Sequence, residues 1–241
     1  GGKHVIFNLF MSTLNQGDEV IIPSPFWVSY PDIVSLCEGK PVIVNTTESN
    51  KFKMTPEELE SKITKKTKWV IINSPGNPTG LSYCKEELTD LANVLLKYEN
   101  LWILSDDIYE YLIYDDLKFF NILNAEPKLY NRTFIVNGVS KAFSMTGWRI
   151  GYGAGNQEII KSISKIQSQS TTNPTSISQM AAVKALNSEK KFLAQWIRQF
   201  SQRRNYVSDY LNETVGLNCI KPDGAFYLFI SCSGLINKTA P

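Results

Sequence analysis

Between residues 18 and 138, short β-branched runs take turns with amphipathic helical ones, and this alternation leaves few folds open. "DEVIIP" precedes "WVSYPDIVSLCEG", "KPVIVN" precedes "TPEELESKIT", "KWVIINS" precedes "KEELTDLANVLLKYE", and "LWILSD" and "RTFIVNG" follow. Strands and helices in strict succession predict an α/β domain, a mostly parallel sheet flanked by helices. One helix start is written out in full: Thr55 as cap, Pro56 at the first helical position, Glu57 and Glu58 in the first turn.

After "GYGAG" the texture turns helical, with helices expected at 157–168, 174–187 and 188–213. "LNCIKPDGAFYLFIS" then reads as two strands about a Pro-Asp-Gly turn, the start of a smaller α+β domain. The expected division is a large domain over 1–205, followed by 206–241 as the end of a linker helix and the opening of the small domain. The chain begins on "GGKHVIFNLFMSTL", already an apolar helical pattern, and stops at "CSGLINKTAP". It reads as a piece of a longer protein lacking both ends.

Composition narrows the partners. The 241 residues are 43% hydrophobic and 20% charged with a formal charge of +2, and no basic run exceeds two residues. That leaves no electrostatic footprint for nucleic acid or an anionic membrane, so a small-molecule partner is expected. Cys37, Cys84, Cys219 and Cys232 form no C-x-x-C pair and His4 is the single histidine, so no zinc site is expected and reduced thiols in a cytoplasmic protein fit. No apolar stretch approaches the ~20 residues that span a bilayer.

In a sheet of this kind ligands sit beyond the carboxyl ends of the strands. The loops there are distinctive: "PGNPTG" after "VIINS", "DDIYEYL" after "LWILS", and "VSKAFSMTGWR" after "TFIVNG". Taken singly, the first is a plain turn, Asp106 and Asp107 a helical cap, and Lys141 a solvated lysine. Their order within one α/β frame argues for more.

Gly138-Val139-Ser140-Lys141, with Ser144, Gly147, Arg149, Ile150 and Gly151, resembles the lysine signature of the class I/II pyridoxal-phosphate aminotransferases. "SPFWVSYP", "NSPGNPTG" and "SDDIYEYL" resemble theirs in the same order, most closely in the bacterial aspartate (aspartate/prephenate) subgroup, over nearly the whole chain. The resemblance implies the large domain of the fold-type I enzymes, pyridoxal 5'-phosphate as cofactor, and transfer of an amino group from an amino acid, aspartate first, to a 2-oxo acid such as 2-oxoglutarate. It implies Lys141 as the Schiff-base lysine and proton carrier, Asp106 as the carboxylate beside the pyridine nitrogen, and Tyr109 and Asn77 as donors to the ring oxygen. Gly2 and Lys3, opening the first helix, and Arg149 are implied to hold the phosphate, and Trp27 to stack on the ring. Lys3, Trp27 and Asn77 are implied to touch substrate, Lys3 selecting its distal carboxylate. Many relatives carry a phosphate-binding serine three residues before the lysine, where this chain has Gly138. "KIQSQSTTNP", 165–174, resembles a stretch that reaches a neighbouring subunit, implying a homodimer. The arginine that grips the substrate α-carboxylate in relatives lies beyond Pro241, so the 241 residues alone are expected to transaminate weakly or not at all.

Prephenate or aromatic substrates are the alternative within this fold, and a non-enzymatic cofactor-binding module outside catalysis. A nucleotide-binding domain, suggested by "GYGAGNQEII", fails on its G-x-G-x-G spacing and the lack of an acidic residue near 175.

Overall fold

The computed structural model describes residues 1–238. Helix α1 (Gly2–Thr13) leads into strand β1 (Glu19–Ser24), then α2 (Ser29–Leu36), β2 (Lys40–Asn45), α3 (Pro56–Lys62), β3 (Thr67–Asn73), α4 (Lys85–Leu96), β4 (Trp102–Asp106), the short α5 (Ile122–Ala125) and β5 (Thr133–Gly138). A sixth strand, β6 (Gly151–Ala154), completes a sheet of order β2-β1-β3-β4-β5-β6. The first five strands pair in parallel, as the alternation predicts. β6 adds to the edge antiparallel to β5, in a stretch whose glycines gave no strand signal.

Each central strand sends side chains to both faces. Val20, Ile22, Trp69, Ile71, Leu104 and Phe134 pack under α1 and α2, while Ile21, Val70, Ile72 and Ile103 pack under α3, α4 and α5. This is why the strands are continuously apolar rather than alternating. At α3 the cap forms as written: Thr55 Oγ1 accepts from Glu58 N (3.2 Å) and Glu58 Oε2 from Thr55 N (2.8 Å).

Beyond the sheet run α6 (Gln157–Ser170), α7 (Ser176–Asn187) and α8 (Lys191–Glu213), within a few residues of expectation. The expected boundary at 205/206 falls inside the continuous α8. Among the described residues no helix is long and apolar enough to cross a membrane.

The reading of residues 217–231 as two strands about a Pro-Asp-Gly turn needs correction. Only β7 (Asn218–Cys219) and β8 (Ile230–Ser231) pair. Residues 222–225 instead bond to the loops after β3 and β4: Asp223 N and Gly224 N donate to Gly80 O, Tyr114 N to Asp223 O, and Ala225 N to Leu112 O. Gly224 permits this approach, since a Cβ there would lie 2.4 Å from Leu112 O. The turn residues serve a docking against backbone partners 109 to 144 positions away rather than a local hairpin. Residues 239–241, the end of the expected small-domain segment, lie outside the described residues.

Candidate active site

Because β1, β3, β4 and β5 are parallel, the loops following them emerge at one edge of the sheet. Register places Asn73 beside Asp106 and Asp106 beside Val136. A cavity of about 190 Å³ opens at this edge, and Gly2, Lys3, Trp27, Asn77, Asp106, Tyr109, Lys141 and Arg149 all line it. The geometry thus brings together the eight residues implied to hold cofactor or substrate, from positions 2 to 149.

Asp106 ends β4 and is buried, its carboxylate accepting from Tyr30 Oη (2.7 Å) and Ile108 N (3.3 Å). Burial pushes its pKa up, against those hydrogen bonds and the field of Lys141. A cationic ring nitrogen set against this carboxylate would favour its charged form, so the donor set fits a protonated pyridine.

Lys141 follows β5 and is half-buried, its Nζ 5.7 Å from the centre of the Tyr109 ring and 5.2 Å from that of Phe226. Burial depresses its pKa, the Arg149 guanidinium adds to this, and Asp106 opposes it. A lowered pKa raises the share of neutral amine, the form able to attack an aldehyde.

Arg149 closes the 3₁₀ turn Thr146–Trp148 with a left-handed φ of 56°. Its Nη1 donates to Thr146 O (2.9 Å), and Nη2 lies 3.3 Å from where a Gly1 side chain would begin. The guanidinium therefore stands at the N-terminus of α1, where the first intrahelical bond is His4 N to Gly1 O and the N–H groups of Gly2 and Lys3 precede it. Helix end and arginine together make an anion cradle. Contact between two edges fixes it: a Cβ on Gly151 would lie 2.2 Å from Gly2 N. The absence of serine at 138 has a similar cause. A Cβ there would lie 2.9 Å from Ile150 O and 3.1 Å from Gly151 Cα. Ser140 and Thr146 also line the cavity.

Trp27 meets Tyr30 edge-to-face at 5.3 Å, and the exposed Lys3 carries its Nζ 4.9 Å from the Trp27 ring centre.

Three residues of the site went unread in the sequence. Tyr30 holds Asp106. Asn73 donates to Asp106 O (3.0 Å) and accepts from Asn77 N (2.8 Å), tying two loops together. Tyr227 reaches in from the segment after α8, its hydroxyl 2.5 Å from that of Tyr109. Tyr30 sits three residues from Trp27 on the turn entering α2 and offered a local signal. Tyr227 offered none, because its approach depends on the long-range docking of 222–225.

The fold is an α/β layered one with a lined cavity at the carboxyl edge of its sheet, and the comparisons are specific. The sequence profile of the family "Aminotransferase class I and II" matches residues 1–240, and the chain belongs to that family. It is 55% identical over 232 residues to a probable aspartate/prephenate aminotransferase of Rickettsia typhi, covering 96% of this chain and 58% of that protein. The crystal structure of the aspartate aminotransferase from Rhizobium meliloti superposes with a TM-score of 0.98 at 48% identity, covering 100% of this chain and 60% of that one. An aromatic aminotransferase from Pyrococcus horikoshii gives 0.91 at 40% identity, covering 95% of this chain and 61% of that one. The chain spans about three fifths of the length of the relatives it matches.

Proposed function

We propose that the protein carrying this chain is a pyridoxal-phosphate-dependent aminotransferase with aspartate as amino donor and a 2-oxo acid as acceptor. The observation that carries this reading is the convergence of Lys141, Asp106, Tyr109 and Arg149 on one cavity at the α1 N-terminus. Bound there, pyridoxal phosphate supplies an aldehyde that captures the amino group and a ring that takes up the electrons released at the substrate α-carbon.

Lys141 Nζ would hold the aldehyde carbon and, as a neutral amine, would carry the proton at the substrate α-carbon. Asp106, steadied by Tyr30, holds a proton at the ring nitrogen. Tyr109 and Asn77 would donate to the ring oxygen, and Trp27 would screen the ring from water. Arg149 and the N–H groups of Gly2 and Lys3 grip the phosphate dianion. Lys3, exposed beside Trp27, meets a second carboxylate on the substrate, which favours aspartate. A wider substrate range including prephenate is supported by the name of the Rickettsia relative, and an aromatic one by that of the Pyrococcus structure.

A homodimer accords with the exposed 165–174 stretch and with Ile177 and Met180, which α7 leaves largely uncovered. The four unpaired cysteines accord with the cytoplasm.

The test is an absorbance spectrum with pyridoxal phosphate, then borohydride reduction and mass mapping. A visible band with the label on Lys141 is expected; a label scattered over surface lysines would overturn the reading. Lys3→Ala in the full-length protein is expected to lower the preference for aspartate over phenylalanine about fivefold, the worth of one exposed charge contact on the order of 1 kcal/mol.

A further inference from the structure

Tyr227 belongs to the segment after α8, yet it stands inside the cavity. Asn77 Nδ2 donates to its hydroxyl at 3.3 Å, and that hydroxyl is 2.5 Å from Tyr109 Oη. The two tyrosine rings meet edge-to-face, 5.6 Å apart.

The segment is held on several sides. Asp223 N and Gly224 N both bond Gly80 O, at 3.0 and 2.8 Å, and Asp223 Oδ2 accepts from Ser82 N at 3.0 Å. Gly80 takes a φ of +68°, and a Cβ there would lie 2.7 Å from Pro222 Cβ. On the far side Arg204 Nη1 donates to Pro222 O at 2.9 Å. Tyr227 is thus delivered to Asn77 by the same loop, 76–82, that carries Asn77.

The donor inventory fixes a direction. An amide nitrogen only donates, so Tyr227 Oη accepts from Asn77. Each phenol has one hydrogen. When Tyr109 turns its own toward a ligand in the cavity, the hydrogen in the 2.5 Å contact belongs to Tyr227. A chain then runs from Asn77 Nδ2 to Tyr227 Oη to Tyr109 Oη and onward, and each donor in it strengthens the next.

We propose that Tyr227 is a positioning residue for the aminotransferase reaction: it donates to Tyr109 Oη, and so sets how strongly Tyr109 donates to the oxygen of the cofactor ring. This rests on the function proposed above. Burial holds the Tyr109 phenol far above its ordinary pKa, which keeps it a donor.

The experiment compares full-length wild type with Tyr227→Phe, Tyr109→Phe and the double variant, each loaded with pyridoxal phosphate. The readout is the pH at which the visible band of the bound cofactor titrates. Tyr227→Phe is expected to raise that midpoint by about 0.5 to 1 unit, and by less than about a third of this in the Tyr109→Phe background. An unchanged midpoint, or equal shifts in both backgrounds, would overturn the role of Tyr227 while leaving the aminotransferase reading intact. A wild type without a band or a Lys141 label would overturn that reading, and this inference with it.

Discussion

Asp107, next to the Asp106 carboxylate, shows how one buried group sets a pH dependence. Ser105 Oγ donates to its Oδ1 (2.6 Å) and Asn121 Nδ2 to its Oδ2 (2.8 Å), yet burial raises its pKa to about 6 from a model-peptide 3.8. The native state therefore binds this proton more tightly than the unfolded one. Stability from this group is present below about pH 4 and lost as pH rises through 6. The shift corresponds to about 3 kcal/mol. Asp107→Asn is expected to flatten the fall in urea-unfolding stability between pH 4 and 6; an unaltered slope would remove Asp107 as its source. Residue types at the site were legible because the chemistry restricts them: an amine, a buried carboxylate and a guanidinium in fixed order. Tyr30, by contrast, looks like any core aromatic until its hydroxyl is found on Asp106.

At the scale of elements, α1 and β6 act as a pair. Gly151 lets the strand touch the first turn of the helix, which sets the N–H groups of Gly2 and Lys3 against Arg149. Gly151→Ala is expected to push α1 away and weaken cofactor binding at least tenfold in a fluorescence titration, with far-UV circular dichroism unchanged. Strength of binding equal to wild type would show that the cradle does not need this contact. The α3 cap predicts a smaller effect: Thr55→Ala should cost about 1 kcal/mol in denaturant unfolding, without touching the site. The parallel strands and α3 were legible because their signals are local, being apolar runs and a cap. β6 was not, since four residues with two glycines, "GYGA", become a strand only through the edge that β5 offers.

Across the whole molecule, Arg204 ties α8 to the body through polar contacts. Almost fully buried, it pairs both nitrogens with both oxygens of Asp115 at 2.8 Å, donates to Pro222 O, and lies 4.7 Å from the Tyr114 ring centre. Arg204→Ala leaves a buried carbonyl without its donor and should destabilise the chain by about 3 kcal/mol. Limited proteolysis is expected to nick the 222–227 segment first; cutting elsewhere would show that Arg204 does not hold it down. No sequence pattern announced this tie, because an arginine on a polar helix normally faces water. Its partners lie 89 and 18 positions away.

The lining of the cavity also has an order in time. Gly2, Trp27, Asn77, Asp106, Lys141 and Arg149 have all been translated once the ribosome reaches Gly151, whereas Tyr227 is still to come. At ordinary elongation rates that interval lasts about 4 to 15 s. During it the nascent chain carries every other residue of the lining in its sequence but not the phenol that completes it, so Tyr227 is the last of them to be made.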